Sequence, residues 1–162
     1  MQSMIAKRVG YTMSEYHSDM VVHLLGLFGV VAGVPALILA AFLTAETVAT
    51  IAATVLYGIC FAVMIASSAA YNILANPNWE WLLKRLDHAA IYTKIAGSVT
   101  AFALMADQGH MLAGALWVVA AMGIGIKLYC PYRFKRIGLV LYLGMGWAVA
   151  IWGRDMFAAL PP

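Results

Sequence analysis

The chain has 162 residues, of which 64% belong to the apolar set and only 10% are charged. A soluble domain is about 45–50% apolar and about 25% charged, and a small globule buries only about two-thirds of the surface that its unfolded chain exposes. This composition argues against a soluble enzyme, a disordered chain and a nucleic-acid module. It predicts a polytopic membrane protein with a single transmembrane domain over residues 1–162.

Five apolar runs follow one another along the chain, each near the roughly 20 residues that a helix needs to cross the hydrocarbon. Lipid cannot satisfy free backbone groups and the runs lack the alternation of a barrel strand, so helices are expected. The predicted fold class is therefore all-α, a transmembrane helix bundle. Its predicted spans are residues 20–43, 47–71, 89–106, 111–128 and 138–157.

The connections between the spans differ in length and chemistry. Short breaks at residues 44–46 and 107–110 predict antiparallel neighbours. The connector at 73–88 predicts a turn and then an amphipathic stretch at the interface, with Trp79 and Trp81 at headgroup level. The connector at 129–136 mixes basic and aromatic residues beside two spans, which favours anionic lipid over nucleic acid as its partner.

Basic residues are concentrated on one side of the predicted bundle. Eight of the ten Lys and Arg residues precede span one, separate spans two and three, or separate spans four and five, whereas the two alternate turns contain none. The positive-inside rule then predicts a cytoplasmic N terminus in the inner membrane, and no removable signal peptide is expected. The eight residues are Lys7, Arg8, Lys84, Arg85, Lys127, Arg133, Lys135 and Arg136.

Ionisable and polar residues at membrane depth are costly and indicate a functional site by default. Glu15, Asp19 and His23 have a spacing of four, so they form a stripe that drifts only about 40° per step along span one. Two further groups enter from the same side. They are Ser67, Ser68 and Asn72 at the end of span two, and Asp87, His88 and Lys94 in span three. The convergence predicts a polar pocket near the cytoplasmic end of the bundle.

Structural explanations compete with a site for several of these residues. Asp87 suits a helix cap or an ion pair with Lys84 or Lys94, and His23 suits an interhelical hydrogen bond. The hydroxyls of span two are able to bond back to their own helix. The two cysteines, Cys60 and Cys130, are predicted to be buried free thiols, and His17 and His110 are predicted to lie at the interface.

Four segments in order resemble the hemolysin III family, which is related to the progestin and adipoQ receptors and more remotely to the alkaline ceramidases. They are Glu15-x3-Asp19-x3-His23, SSAAYN at 67–72, RLDHAAIY at 85–92 and IAGSVT at 95–100. The match covers spans one to three, and RLDH is its most specific piece. Spans four and five match in hydropathy only.

The resemblance implies a seven-helix bundle with a cytoplasmic N terminus, a zinc ion near the cytoplasmic face and metal-dependent hydrolysis of a lipid amide. By matching position, the span-two serine of the family is Ser68 or Ser67. The resemblance carries catalytic roles to Asp87, as base or water orienter, and to Ser68, as a polarising group. The zinc ligands of the relatives are a His ending span two and two His in span seven. Asn72 stands at the first of these places and the chain has five spans, so we predict that it holds no zinc.

Two functions from different classes remain open on the sequence. The first is a hemolysin-III-like hydrolase of a lipid amide or ester, degenerate in its metal site, either because the chain is a shortened seven-span protein or because a five-span relative has lost its catalytic centre. The second is a non-catalytic accessory subunit of a larger membrane complex. A channel ranks below both, because charge confined to one end does not make a continuous aqueous path. Membrane lipid is the expected partner, and nucleic acid is not expected.

Overall fold

The computed structural model describes residues 12–74, 78–129 and 135–160, with the side chain of residue 135 left out. These residues form helices and no strand, which confirms the all-α class. The helices are α1 Met13–Thr44, α2 Val48–Ile73, α3 Glu80–Ala106, α4 His110–Tyr129, α5 Lys135–Trp152 and α6 Arg154–Ala158.

Helices α1 to α4 are long and apolar enough to cross a membrane, and a shorter apolar helix covers Arg136–Trp152. The predicted fifth span, residues 138–157, is therefore interrupted. Helix α5 ends at Trp152 because the next residues are Gly153 and then the charged Arg154 and Asp155, which open α6. The fold is a polytopic helical membrane bundle, as the composition predicts.

Side-chain caps and a left-handed turn set the ends of the helices. Thr12 accepts a hydrogen bond from the Glu15 backbone, and the Glu15 carboxylate accepts one from the Thr12 backbone, a capping box that starts α1. Thr47 caps α2 through the Thr50 backbone. Gly109, with φ +77°, completes the turn from α3 to α4.

Helix α3 is the centre of the bundle. It packs against α2 and α4 and also contacts α5 and α6, whereas α1 packs against α2 alone among the described helices. Small residues on α3, including Ala96 and Ala103, are fully buried and let its neighbours approach closely. The order α1–α2–α3–α4 leaves α1 at one edge, with most of its side chains facing outward.

The predicted interfacial stretch after span two is continuous with the third transmembrane helix. Helix α3 begins at Glu80 and runs without a break to Ala106, so Trp81 belongs to its first turn. Asn76 and Pro77, on which the predicted turn rests, lie outside the described residues. The amphipathic character of residues 80–88 therefore marks the outer turns of a spanning helix rather than a separate element.

Candidate functional site

A histidine, a serine and an asparagine meet between α1 and α2 at the end of the bundle where α1 begins. His23 Nε2 lies 3.2 Å from Ser68 Oγ and 3.0 Å from Asn72 Nδ2. Asn72 also donates from Nδ2 to the carbonyl oxygen of Ser68, at 2.9 Å. Three residues that the sequence predicts for one pocket are thus in direct contact across two helices. We call His23, Ser68, Asn72 and the adjoining Asp19 the histidine cluster.

The orientation of the His23 ring is set by α1 itself. Its Nδ1 lies 2.7 Å from the carbonyl oxygen of Asp19, one turn earlier, and 3.5 Å from the Asp19 carboxylate. A carbonyl oxygen only accepts hydrogen bonds, so Nδ1 carries the proton and Nε2 is left as the acceptor. The ring is only 15% exposed and the Asp19 side chain 32%, so the cluster is half-sheltered rather than closed.

Glu15 lies further out than the histidine cluster. Its carboxylate accepts hydrogen bonds from the Thr12 backbone and hydroxyl, at 2.7 Å and 2.8 Å, as part of the helix cap. An open recess of about 410 Å³ runs along this face of α1, and among the described residues it is lined by Ser14, Glu15, Ser18, Asp19 and Val22. Asp19 therefore borders both the recess and the cluster.

Asp87 and His88 belong to a different group of contacts. Asp87 Oδ2 lies 3.7 Å from His88 Nδ1, which itself sits 2.7 Å from the Lys84 carbonyl oxygen. The His88 carbonyl oxygen accepts a hydrogen bond from the Tyr142 hydroxyl of α5, at 3.1 Å. In the described part of the chain, the contacts of Asp87 thus lead toward α5, whereas those of His23 lead to α2.

Sequence analysis misses a buried group that joins α3, α4 and α5. Tyr92 is fully buried and donates to the Gly138 carbonyl oxygen at 3.3 Å, and its ring centroid lies 4.4 Å from that of Tyr142. Lys127 is only 6% exposed, and its Nζ approaches Gly138 so closely that a Cβ there would lie 2.6 Å from it. The only indication in the sequence is Lys127, near the end of predicted span four, which is used to predict the orientation of the bundle.

Asp87 and Lys94 share a face of α3, which suggests an ion pair, but Lys94 does not pair with Asp87. Its Nζ is buried without a hydrogen-bond partner and lies 3.3 Å from the ring centroid of Tyr57 and 5.1 Å from that of Phe61. Arg85 likewise lies over the Trp81 ring rather than against Asp87. The expected ion pair of Asp87 with Lys94 is absent from the described contacts because the Lys94 side chain turns to aromatic faces.

Cys60, which lies between Tyr57 and Phe61 in the chain, is buried, as predicted. Cys60 is 3% exposed, and its Sγ packs against Gly97 of α3 so closely that a Cβ at Gly97 would lie 2.3 Å away. It is a free thiol. Cys130, for which the same was predicted, lies outside the described residues.

The residues of the histidine cluster do not fit a zinc ion. The Nε2 lone pair that would ligate a metal faces two hydrogen-bond donors, Ser68 and Asn72. Across residues 12–74, 78–129 and 135–160, no three His, Cys, Asp or Glu side chains come together as a metal site. Zinc in proteins takes three or four such ligands.

Four long apolar helices with an imidazole, a hydroxyl and an amide between two of them define a multi-pass membrane protein with an internal polar site. The chain belongs to the haemolysin-III related family, whose model matches residues 12–161. This membership confirms the resemblance, and the match extends through predicted spans four and five, for which the sequence indicated agreement in hydropathy only.

Two curated relatives illustrate the similarity. The chain is 30% identical over 137 residues to Hemolysin-3 of Bacillus cereus, a match that covers 82% of this chain and 63% of the relative. It is 28% identical over 155 residues to the Hemolysin-3 homolog of Bacillus subtilis strain 168, covering 93% of this chain and 71% of the relative. The matched region thus spans about two-thirds of these relatives. No solved structure matches the chain.

Proposed function

We propose that this haemolysin-III family protein hydrolyses a lipid ester or amide at the inner membrane, with its N terminus and the histidine cluster on the cytoplasmic side. The contact between His23 and Ser68 across two helices is the observation that carries the proposal. It combines a proton acceptor and a hydroxyl, the pair that acyl-transfer chemistry requires. Lipid is the substrate class we infer, because the cluster lies between two helices long and apolar enough to cross a membrane.

The proposal places the base at His23 rather than at Asp87. The family resemblance had given that role to Asp87, but its described contacts are with His88 and, electrostatically, with the Tyr142 hydroxyl. His23 instead has an acceptor nitrogen 3.2 Å from the Ser68 hydroxyl. On this proposal Asp87 takes no part in the reaction, and its described neighbours are His88 and the Tyr142 hydroxyl.

The test of the proposed function is lipid hydrolysis by the purified 162-residue chain in vesicles of bacterial phospholipid. Mass spectrometry should detect a free fatty acid released at a rate that falls at least tenfold in His23→Gln. Asp107→Asn, at the exposed opposite end of the bundle, is the control and should leave the rate unchanged. Release that is equal in His23→Gln and in the unaltered chain would overturn the proposal.

Zinc is expected to be absent from the same preparation. Because His23 Nε2 is already engaged by two donors and Asn72 supplies a neutral amide, elemental analysis should find well under one equivalent of zinc. About one equivalent that survives mild chelation and disappears in His23→Ala would show that this chain rebuilds a metal site from other residues.

The accessory-subunit function remains the second candidate. It is favoured by the ligand chemistry of the described residues, in which no three His, Cys, Asp or Glu side chains come together to hold a metal. On this alternative the chain purifies from membranes in a fixed ratio with other membrane proteins, and the purified chain releases no fatty acid. Hydrolysis by the chain alone would exclude this alternative.

A further inference from the structure

The Ser68 hydroxyl is bonded differently from five serine and threonine hydroxyls of the described helices. Each of the five donates to the carbonyl oxygen one turn earlier on its own helix, the ordinary arrangement in a membrane. Ser68 Oγ instead lies 3.2 Å from the imidazole of another helix. The five are those of Ser18, Thr44, Thr54, Ser98 and Thr100.

The imidazole that Ser68 meets has the proton arrangement of a general base. His23 Nδ1 is held by the Asp19 carbonyl at 2.7 Å, with the Asp19 carboxylate 3.5 Å away, so Nε2 faces the hydroxyl unprotonated. A hydroxyl, an imidazole and a carboxylate in this order form the arrangement that activates serine in soluble hydrolases. Here the order is Ser68, His23 and Asp19, from two transmembrane helices.

We propose that Ser68 is a catalytic nucleophile, that His23 is its general base, and that the reaction needs no metal. The proposal rests on the proposed lipid hydrolysis and replaces the metal-bound water of the resembled families with a covalent acyl-enzyme. The Asp19 backbone carbonyl keeps the His23 ring in its tautomer, and the Asp19 carboxylate, 3.5 Å from Nδ1, favours positive charge on the ring, so Asp19 is a positioning residue. Asn72 Nδ2 lies 3.0 Å from His23 Nε2 and donates to the Ser68 carbonyl oxygen at 2.9 Å, so this amide holds the two residues together.

The chemistry balances in two steps. Ser68 Oγ attacks the acyl carbonyl carbon, its proton passes to His23 Nε2, the Oγ–carbon bond forms, and the ester carbon–oxygen bond breaks as the alcohol leaves with that proton. Water then attacks the acyl carbon and gives a proton to His23. The Oγ–carbon bond breaks, Ser68 takes the proton back, and a carboxylic acid is released.

The surroundings of Ser68 favour an ester with an apolar acyl chain. Among the described helices, α1 packs against α2 alone, so the contact lies at an edge of the described bundle. Val22, next to His23 in the chain, is 64% exposed and adds apolar surface to that edge. The Asn72 amide is already bonded to His23 and to the Ser68 carbonyl oxygen, so stabilisation of a tetrahedral oxyanion is weak, which favours an activated ester over an amide.

An alkyl fluorophosphonate tests the proposal without knowledge of the lipid. The purified full chain in nanodiscs is treated with a long-chain fluorophosphonate after dialysis against a chelator, and the labelled peptide is identified by mass spectrometry. Labelling on Ser68 of the unaltered chain is expected, because Oγ–phosphorus bond formation with loss of fluoride needs the same activated hydroxyl. Ser98→Ala, which removes a half-buried hydroxyl bonded to its own helix, is the matched control and should label normally.

The role of the base is measured on the same reaction. His23→Gln should slow labelling by about 100-fold or more, the range of general-base catalysis. Asp19→Asn should slow it less, and Ser68→Cys should recover His23-dependent reaction with an alkyl haloacetamide. Melting temperatures of the variants separate loss of chemistry from loss of fold.

The outcomes distinguish the two proposals. Fatty-acid release with no label on Ser68 would overturn the covalent mechanism and leave the hydrolase function standing. Label on Ser68 that depends on His23, without release from any phospholipid, would support the activated serine and overturn the proposed function. A label spread over several serines, or one unchanged in His23→Gln, would overturn the covalent mechanism.

Discussion

Among single residues, Lys94 is a lysine inside a membrane-spanning helix, and its ammonium contacts aromatic rings rather than a carboxylate. An ammonium in the middle of a spanning helix needs a partner, and a carboxylate on the same face is the obvious expectation. The chain provides the faces of Tyr57 and Phe61 instead. Cation–π contact is worth about 2 kcal/mol when the groups are desolvated, less than the cost of burying an unpaired charge.

Lys94→Met is therefore expected to raise the stability of the bundle, since it replaces a buried unpaired amine with an apolar chain of similar length. Tyr57→Leu is expected to lower it by about 2 kcal/mol while Lys94 is present, and by less in the Lys94→Met background. Thermal unfolding in detergent measures all four members of this cycle. Equal losses for Tyr57→Leu in both backgrounds would show that the ring does not hold the ammonium.

Gly123 illustrates how closely α3 and α4 approach. A Cβ at Gly123 would lie 2.4 Å from the ring of Tyr92, which is fully buried and fixed by its bond to Gly138 and by the Tyr142 ring. Gly123→Ala should cost about 1–3 kcal/mol by overpacking. Gly125→Ala, on the same helix with open space around it, is the control and should be neutral or slightly stabilising. Equal shifts of the melting temperature in the two variants would contradict this prediction.

At the scale of elements, the register of α1 against α2 creates the histidine cluster. Gly26 lies one turn beyond His23, and a Cβ there would stand 3.5 Å from Ile65, one turn before Ser68. Gly58 lies opposite Val34 further along the same pair. The two antiparallel helices therefore keep one alignment over several turns, and that alignment sets the distance from His23 to Ser68.

Cysteine cross-linking tests this register directly. In a chain with Cys60→Ala and Cys130→Ala, the pair Gly26→Cys and Ile65→Cys should form a disulfide readily under mild oxidation in membranes. The matched pair Gly29→Cys and Ile65→Cys should not, because nothing lies within 4 Å of a Cβ at Gly29. Gel mobility with and without reductant distinguishes them. A slipped helix pair would reverse the two results.

The elements and the contents of the histidine cluster were predictable, whereas the pairing of side chains was not. Apolar runs broken at residues 44–46 and 107–110 determine the helices, and short turns force His23 and Ser68 to one depth. The rotation of each helix about its axis decides which polar residues meet, and periodicity alone does not provide it. Asp87 and Lys94 share a face of α3, yet Asp87 lies near Tyr142 of α5 and Lys94 over Tyr57 of α2, a difference that their spacing does not predict.

At the scale of the whole molecule, polar contacts and positive charge share one end of the bundle. The histidine cluster, the Asp87–His88 pair and buried Lys127 lie at the ends of helices that flank basic connectors. At the other end, the described polar contacts include helix caps, the exposed Asp107–His110 pair and a hydrogen bond from the Trp117 indole to the Thr100 hydroxyl. The hydrolysis proposed for the histidine cluster would therefore draw its lipid from one leaflet.

The positive-inside rule predicts that this leaflet is the cytoplasmic one. Eight basic residues flank the ends that carry the histidine cluster, and the alternate turns around Glu46 and Asp107 have none, so translocation of the basic connectors is disfavoured. A reporter fused after Arg136 should therefore be active in the cytoplasm, and one fused after Glu46 should be active in the periplasm. Changing Lys84 and Arg85 to Gln should weaken this preference, whereas the same change at Lys94, inside a span, should not. Reporters that exchange sides would place the histidine cluster, and any lipid that it cleaves, in the outer leaflet.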